Sequence, residues 1–202
     1  MFDETNSPSS KLLLQNDDTN LYVGMDILEH TIEDPGTIWG CAIYIDRDHN
    51  GLLTSQDKAV YLNVTATSDI YVSYRTWDVN SNTWIEVESA IQGTPLSNSI
   101  NGYTDFGASY FSSNNHRQYE LRIPLNIIQV SPGNVTGIAF EAFNDYSLTE
   151  TIAWPYSTAS PSIIRTKAQY WGDINIGINE TKVNYYAQYV EEANKNIKTD
   201  AI

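Results

Sequence analysis

The residues best suited to chemistry lie in one loop, Asp46-Arg47-Asp48-His49-Asn50-Gly51-Leu52-Leu53-Thr54-Ser55-Gln56-Asp57. Acids and an amide at alternate positions, a glycine, then five residues and a closing acid match the D-x-[DN]-x-[DN]-G calcium-loop pattern. A hard cation such as Ca²⁺ takes about six to eight oxygen ligands, and such a loop delivers them from one short stretch of chain. Asp46, Asp48 and Asn50 offer side-chain oxygens, Gly51 the sharp turn, and Leu52 its backbone carbonyl. Thr54 acts directly or through a water, and Asp57 closes the loop. Aspartate is shorter than the usual closing glutamate, which favours a single-oxygen contact or a bridging water at that position.

The elements that must hold this loop read as strands. Trp39-Gly40-Cys41-Ala42-Ile43-Tyr44-Ile45 precedes it and Val60-Tyr61-Leu62-Asn63-Val64 follows it, so it bridges two strands instead of the two helices of an EF-hand. Period-two alternation, broken by Asn, Asp, Ser, Gly and Pro clusters, runs through most of the chain. It predicts strands at 11–15, 20–28, 37–46, 59–67, 70–79, 83–88, 107–112, 118–123, 136–144, 151–154 and 173–178. So many short strands imply two packed sheets, an all-β antiparallel sandwich of jelly-roll type. Leu21, Val23, Met25 and Ile27 share one face, as do Val60, Leu62 and Val64. Tyr61, Asn63 and Thr65 fall on the other, which would leave the Asn63-Val64-Thr65 sequon open to glycosylation. Further sequons stand at Asn134 and Asn179. Pro124 should end a strand, with a helical turn at 126–129.

The tail departs from this rhythm. Val183, Tyr186, Val190, Ala193 and Ile197 recur at spacings of three and four, behind Thr181 as N-cap and with Glu191 and Lys195 at i,i+4. This predicts a C-terminal amphipathic helix, packed on the sandwich edge or serving as a connector to a protein partner. The expected organisation is a flexible segment at 1–10, a sandwich domain at 11–180 and a helical tail at 181–202.

Several stretches resemble the carbohydrate-binding domains related to family 9 carbohydrate-binding modules, a group overlapping in fold with DOMON-type domains. They are Asn16-Asp17-Asp18-Thr19-Asn20-Leu21-Tyr22-Val23-Gly24-Met25-Asp26, the strand and loop from Ala42 to Asp57, Tyr119-Glu120-Leu121-Arg122-Ile123-Pro124-Leu125 and Gly137-Ile138-Ala139-Phe140-Glu141. Trp154-Pro155 and Tyr170-Trp171-Gly172-Asp173-Ile174 look like the group's closing strand. The loop by itself is also similar to that of cellulosomal dockerins, but the second copy and flanking helices of a dockerin are missing. The resemblance implies a non-catalytic jelly-roll module of a secreted or cell-surface protein, in some members calcium-binding, with aromatic side chains stacked on sugar rings. Trp84, beside an Asn80-Ser81-Asn82 turn, is the leading stacking candidate, with Trp77 and Trp154 behind it. Trp39 shares the parity of Cys41, Ile43 and Ile45 and reads as core.

Other chemistries lack their residues. Glycosidase action needs two positioned carboxylates; Glu120, Glu141 and Asp145 are available, but spacing alone does not separate them from surface charges. There is no G-x-S-x-G elbow, H-E-x-x-H or phosphate-cradling glycine loop. Cys41 is the sole cysteine, which excludes an intrachain disulfide and a cysteine-based zinc site. A net charge of -14 repels nucleic acid and anionic lipid and suits divalent cations and neutral ligands. No apolar run is long enough to span a bilayer. The sequence thus points to a calcium-binding, carbohydrate- or glycan-binding module of a secreted or surface protein, with a structural domain of a cell-surface assembly as the alternative.

Overall fold

The computed structural model describes residues 10–28, 30–31, 39–65, 69–92, 94, 96–97, 99–144, 150–154, 161–177, 185–187 and 200–201. Their strands are β1 (Lys11–Asn16), β2 (Asn20–Ile27), β3 (Trp39–Asp46), β4 (Lys58–Val64), β5 (Ile70–Asp78), β6 (Thr83–Ile91), β7 (Asn101–Gly107), β8 (His116–Pro124), β9 (Val135–Asn144), β10 (Glu150–Trp154), β11 (Gly172–Asn175), β12 (Tyr185–Ala187) and β13 (Asp200–Ala201). Sheet A runs β13-β12-β1-β2-β8-β7, and sheet B runs β10-β9-β3-β4-β5-β6, with β11 also pairing with β9. Every pairing is antiparallel. The protein is an all-β sandwich, as expected.

Alternation sets which residues meet between the sheets. Leu21, Val23, Met25 and Ile27 of β2 and Leu121 and Ile123 of β8 pack against Cys41, Ile43 and Ile45 of β3 and Val60 and Leu62 of β4. Gly102 sits where the sheets approach closely, since a Cβ there would lie 2.7 Å from Leu121 Cδ2 and 3.1 Å from Val72 Cγ2. The strand predicted over 107–112 is corrected: β7 runs from Asn101 to Gly107, and its ladder with β8 passes through Gly102, where glycine permits the close approach.

The outer face of sheet B is a second core. Ala42, Tyr44, Ala59, Tyr61, Trp77, Trp84, Ala139 and Phe143 are buried there with Ile164, Ala168 and Trp171 from a covering segment. That segment holds a short helix, α2 (Pro161–Thr166), and a 3₁₀ turn (Ala168–Tyr170). All eight residues of β3 are consequently buried. The fastening is polar as well as apolar: Arg165 Nε donates to both Glu141 carboxylate oxygens at 2.8 Å, and Tyr44 Oη donates to Glu141 Oε2 at 2.8 Å. Covering this face corrects the expectation for Asn63, which is buried beside Gly40 and the Phe143 ring and is closed to glycosylation in the fold. Asn134 is exposed.

Two punctuation marks fall where the sequence puts them. β8 ends at Pro124, and helix α1 (Leu125–Ile128) follows, stopped by Gln129 in the left-handed region at φ 55°. The tail is different. Residues 185–187 pair with β1 and 200–201 with β12, so the helix predicted over 181–202 is corrected there to strand; its other positions lie outside the described residues. The open ladder of β1 offers backbone partners that an isolated amphipathic helix lacks.

His30 is a buried polar residue whose titration is legible. Its ring lies 4.5 Å from that of Trp39, and neither ring nitrogen has a hydrogen-bond partner among the described residues. Burial, with a smaller push from Arg117, lowers its pKa from 6.5 to about 3. The unfolded chain therefore takes up a proton that the folded one refuses, and stability contributed above pH 6.5 is lost as pH falls towards 3. His30→Phe, which keeps a ring against Trp39, should flatten the dependence of urea-unfolding free energy on pH across that window, by up to a few kcal/mol.

Candidate metal centre

β3 and β4 pair up to Ile45 and Lys58, and the predicted loop spans the gap beyond them. Its reversal uses two left-handed residues, His49 at φ 52° and Gly51 at φ 74°. Glycine adopts that conformation without a Cβ penalty. Asp46 organises the first half, with Oδ2 accepting from the Gly51 N–H at 2.8 Å and Oδ1 from the Asn50 N–H at 3.3 Å. Asp57 organises the second: Oδ1 accepts from the Arg47 N–H at 3.1 Å, and Oδ2 from the Thr54 N–H at 2.6 Å and hydroxyl at 3.1 Å. The two carboxylates thereby close the loop on itself.

The folding of the loop brings Asp46, Asp48 and Asp57 together, with one carboxylate oxygen of each within 4.8 Å of the others. Asp46 and Asp57 are buried while Asp48 is exposed. No Lys or Arg forms an ion pair with any of the three among the described residues. Desolvation is the largest influence on both buried acids and raises their pKa above 3.8; Asp48 adds to it at Asp46, and Asp46 adds to it at Asp57. Two buried carboxylates and a third beside them, without a cation, are costly in charged form. A cation at their centre would offset that cost. The donors are oxygens throughout, which suits Ca²⁺ or Mg²⁺ and not a thiolate- or imidazole-seeking metal.

The remaining predicted ligands are placed less uniformly. Asn50 stays at the cluster, its Nδ2 donating to Asp48 Oδ2 at 2.7 Å, while its Oδ1 accepts from the Leu52 N–H at 2.7 Å. The Thr54 hydroxyl is engaged by Asp57, and the Leu52 side chain points to solvent at 65% exposure. His49 turns away, with Nε2 2.7 Å from Asp173 Oδ1 at the start of β11. Supports from β9 complete the site. The Thr136 hydroxyl donates to the Asp46 carbonyl at 2.8 Å, and Gly137, across from Asp46, leaves room that a Cβ would take at 3.0 Å from Asp46 Cβ. Nothing in the spacing announced these supports, because they arrive from a strand about 90 residues away.

The tryptophans do not form a platform. Trp77, Trp84 and Trp154 are 4%, 9% and 8% exposed, which corrects the expectation of open stacking faces. Trp84 packs 5.3 Å from Trp77 and 5.5 Å from Tyr44, and its Nε1 donates to the Arg165 carbonyl at 2.9 Å. Trp154 packs 5.8 Å from Phe140 in the inter-sheet core. The covering segment 161–171 takes the space a sugar would need. Trp39 is core, as read. Glu120 and Glu141 fall on the outer faces of opposite sheets, and the latter is held by Arg165, so these two cannot flank one glycosidic bond.

No family model and no curated protein sequence matches the chain. In fold it is similar to a family 9 carbohydrate-binding module from Caldicellulosiruptor kristjanssonii. The structure of that module with cellotriose aligns at TM-score 0.46 and 15% identity, over 85% of this chain and 76% of that one. The structure with glucose aligns at TM-score 0.45 and 15% identity, over 88% and 82%.

If Trp84 is a structural plug, Trp84→Ala will open a cavity in the outer core and cost about 3–5 kcal/mol of stability. Urea denaturation followed by tyrosine and tryptophan fluorescence measures this, and an unchanged midpoint would place Trp84 outside the core.

Proposed function

We propose that the protein is a non-catalytic, calcium-binding β-sandwich module of a secreted or cell-surface protein, and that it binds carbohydrate. The observation that carries the calcium reading is the convergence of Asp46, Asp48 and Asp57 oxygens within 4.8 Å at a strand junction, two of them buried. Asp46, Asp48 and Asp57 would hold the ion, with Asn50 beside them and the Leu52 carbonyl and Thr54 completing the shell. The bound ion would neutralise the acids and pin the end of the β3–β4 pair against β9. The carbohydrate reading is supported by the sequence resemblance of the stretches at 16–26, 42–57, 119–125 and 137–141, and by the acidic net charge, which favours uncharged ligands.

Calcium that binds the folded chain raises stability by mass action, about 2.7 kcal/mol when its concentration is a hundred times Kd. Thermal unfolding in excess calcium should therefore occur several degrees above that in chelator, and Asp46→Ala combined with Asp48→Ala should abolish the difference. Identical melting curves for the native chain in calcium and in chelator would refute the metal assignment. Glycan-array screening in calcium tests the carbohydrate reading separately.

A further inference from the structure

Among the described residues, the outer face of sheet A stays open over part of β1, β2, β8 and β7, with Tyr22, Tyr103, Glu120 and Arg122 exposed. There a groove of about 640 Å³ crosses β1, β2, β8 and β7. Antiparallel register sets its floor in rows. Tyr22 of β2 lies across from Arg122 of β8, which lies across from Asn101 of β7; in the next row Leu13, Gly24, Glu120 and Tyr103 follow one another from β1 to β7. Tyr22 and Tyr103 therefore stand at diagonally opposite ends, two strands and two residues apart, roughly 12 Å at ideal sheet spacings. We propose that this groove is the carbohydrate site and that it takes a neutral oligosaccharide laid diagonally from Tyr22 to Tyr103. The inference rests on the carbohydrate reading above and gives it a place and a ligand class.

The groove is preorganised. Tyr22 Oη donates to Asp17 Oδ2 at 2.8 Å, and Asp17 Oδ1 is itself held by the Thr19 and Asn20 N–H groups, both at 2.7 Å. At the far end Asn101 Nδ2 donates to Tyr103 Oη at 3.1 Å. Both phenols are thus tied at their hydroxyls while the side chains remain 37% and 47% exposed. Rings held in this way lose little freedom on binding and can stack on the C–H face of a sugar. Between them Glu120 and Arg122 offer an acceptor and donors to sugar hydroxyls. Gly24 keeps the middle of the floor low. A Cβ there would meet nothing nearer than Leu13 Cβ at 3.5 Å, so packing does not demand the glycine. Glycine weakens a strand, and inside one it often marks a place where something approaches the backbone. Glu120 on the floor and the net charge of -14 disfavour acidic sugars.

The test is isothermal titration calorimetry in saturating calcium with cello-, xylo-, manno- and chito-oligosaccharides and with oligogalacturonides as the acidic probe. Gly24→Val fills the groove with a residue that strands favour, and Tyr103→Ala removes an exposed ring, so both should fold. The native chain should bind at least one neutral series, and each variant should lose tenfold or more in affinity while its calcium-dependent melting shift is unchanged. Neutral-sugar binding that both variants retain would overturn the groove assignment and leave the carbohydrate reading standing. Binding by the native chain to none of the probes would overturn the carbohydrate reading and the groove with it. A preference for oligogalacturonides would overturn the neutral ligand class.

Discussion

The structure depends on β3 being buried along its whole length. A strand with both faces covered must sit between two layers, and here one layer is sheet A and the other is the segment 161–171. The outer layer is anchored by Arg165 on Glu141, a buried charge that would be expensive without its partner. Once that layer is in place, the aromatic residues of sheet B become core, the loop after β3 is pressed against β9, and sheet A keeps the open face. The positions of both functional candidates follow from this single arrangement.

The candidate metal centre uses the burial in a second way. Asp46 ends β3 and Asp57 precedes β4, so the strands that make the core also carry two carboxylates into a desolvated corner. Backbone N–H groups of Arg47, Asn50, Gly51 and Thr54 satisfy much of their hydrogen-bonding capacity but supply no full positive charge. Desolvation raises both pKa values, so charging the pair carries a cost. Calcium would turn that cost into an attraction, and folding and ion binding would then support each other. The groove on sheet A and this corner share no residue, so sugar contact and ion contact need share none.

Much of this was legible before any coordinates. Leu21 to Ile27 and Val60 to Val64 alternate so regularly that their inward faces could be assigned one by one, and the structure places Leu21, Val23, Met25, Ile27, Val60 and Leu62 in the inter-sheet core and buries Val64. The loop was legible for the same reason, since ligands at alternate positions and a turn glycine are a local pattern. Errors arose where a local signal met a distant partner. Residues 107–112 read as a strand, yet β7 occupies 101–107, where it pairs with β8 and ends at Gly107. The three-and-four spacing after Thr181 reads as a helix, yet 185–187 joins the ladder of β1.

The tryptophans mark the boundary between the two kinds of information. Period two establishes that Trp77 lies on the face opposite Val72, and the sequence by itself determined that much, along with the sandwich and the spacing of the acids. It could not say what would cover that face, because Ile164, Ala168 and Trp171 arrive from a segment some 80 residues further on, through contacts that no local period encodes. Only the tertiary structure decided that these rings are packing and that Tyr22 and Tyr103 are the exposed aromatic residues along the groove of sheet A. Alternation is a property of one strand, whereas burial is a property of everything packed against it.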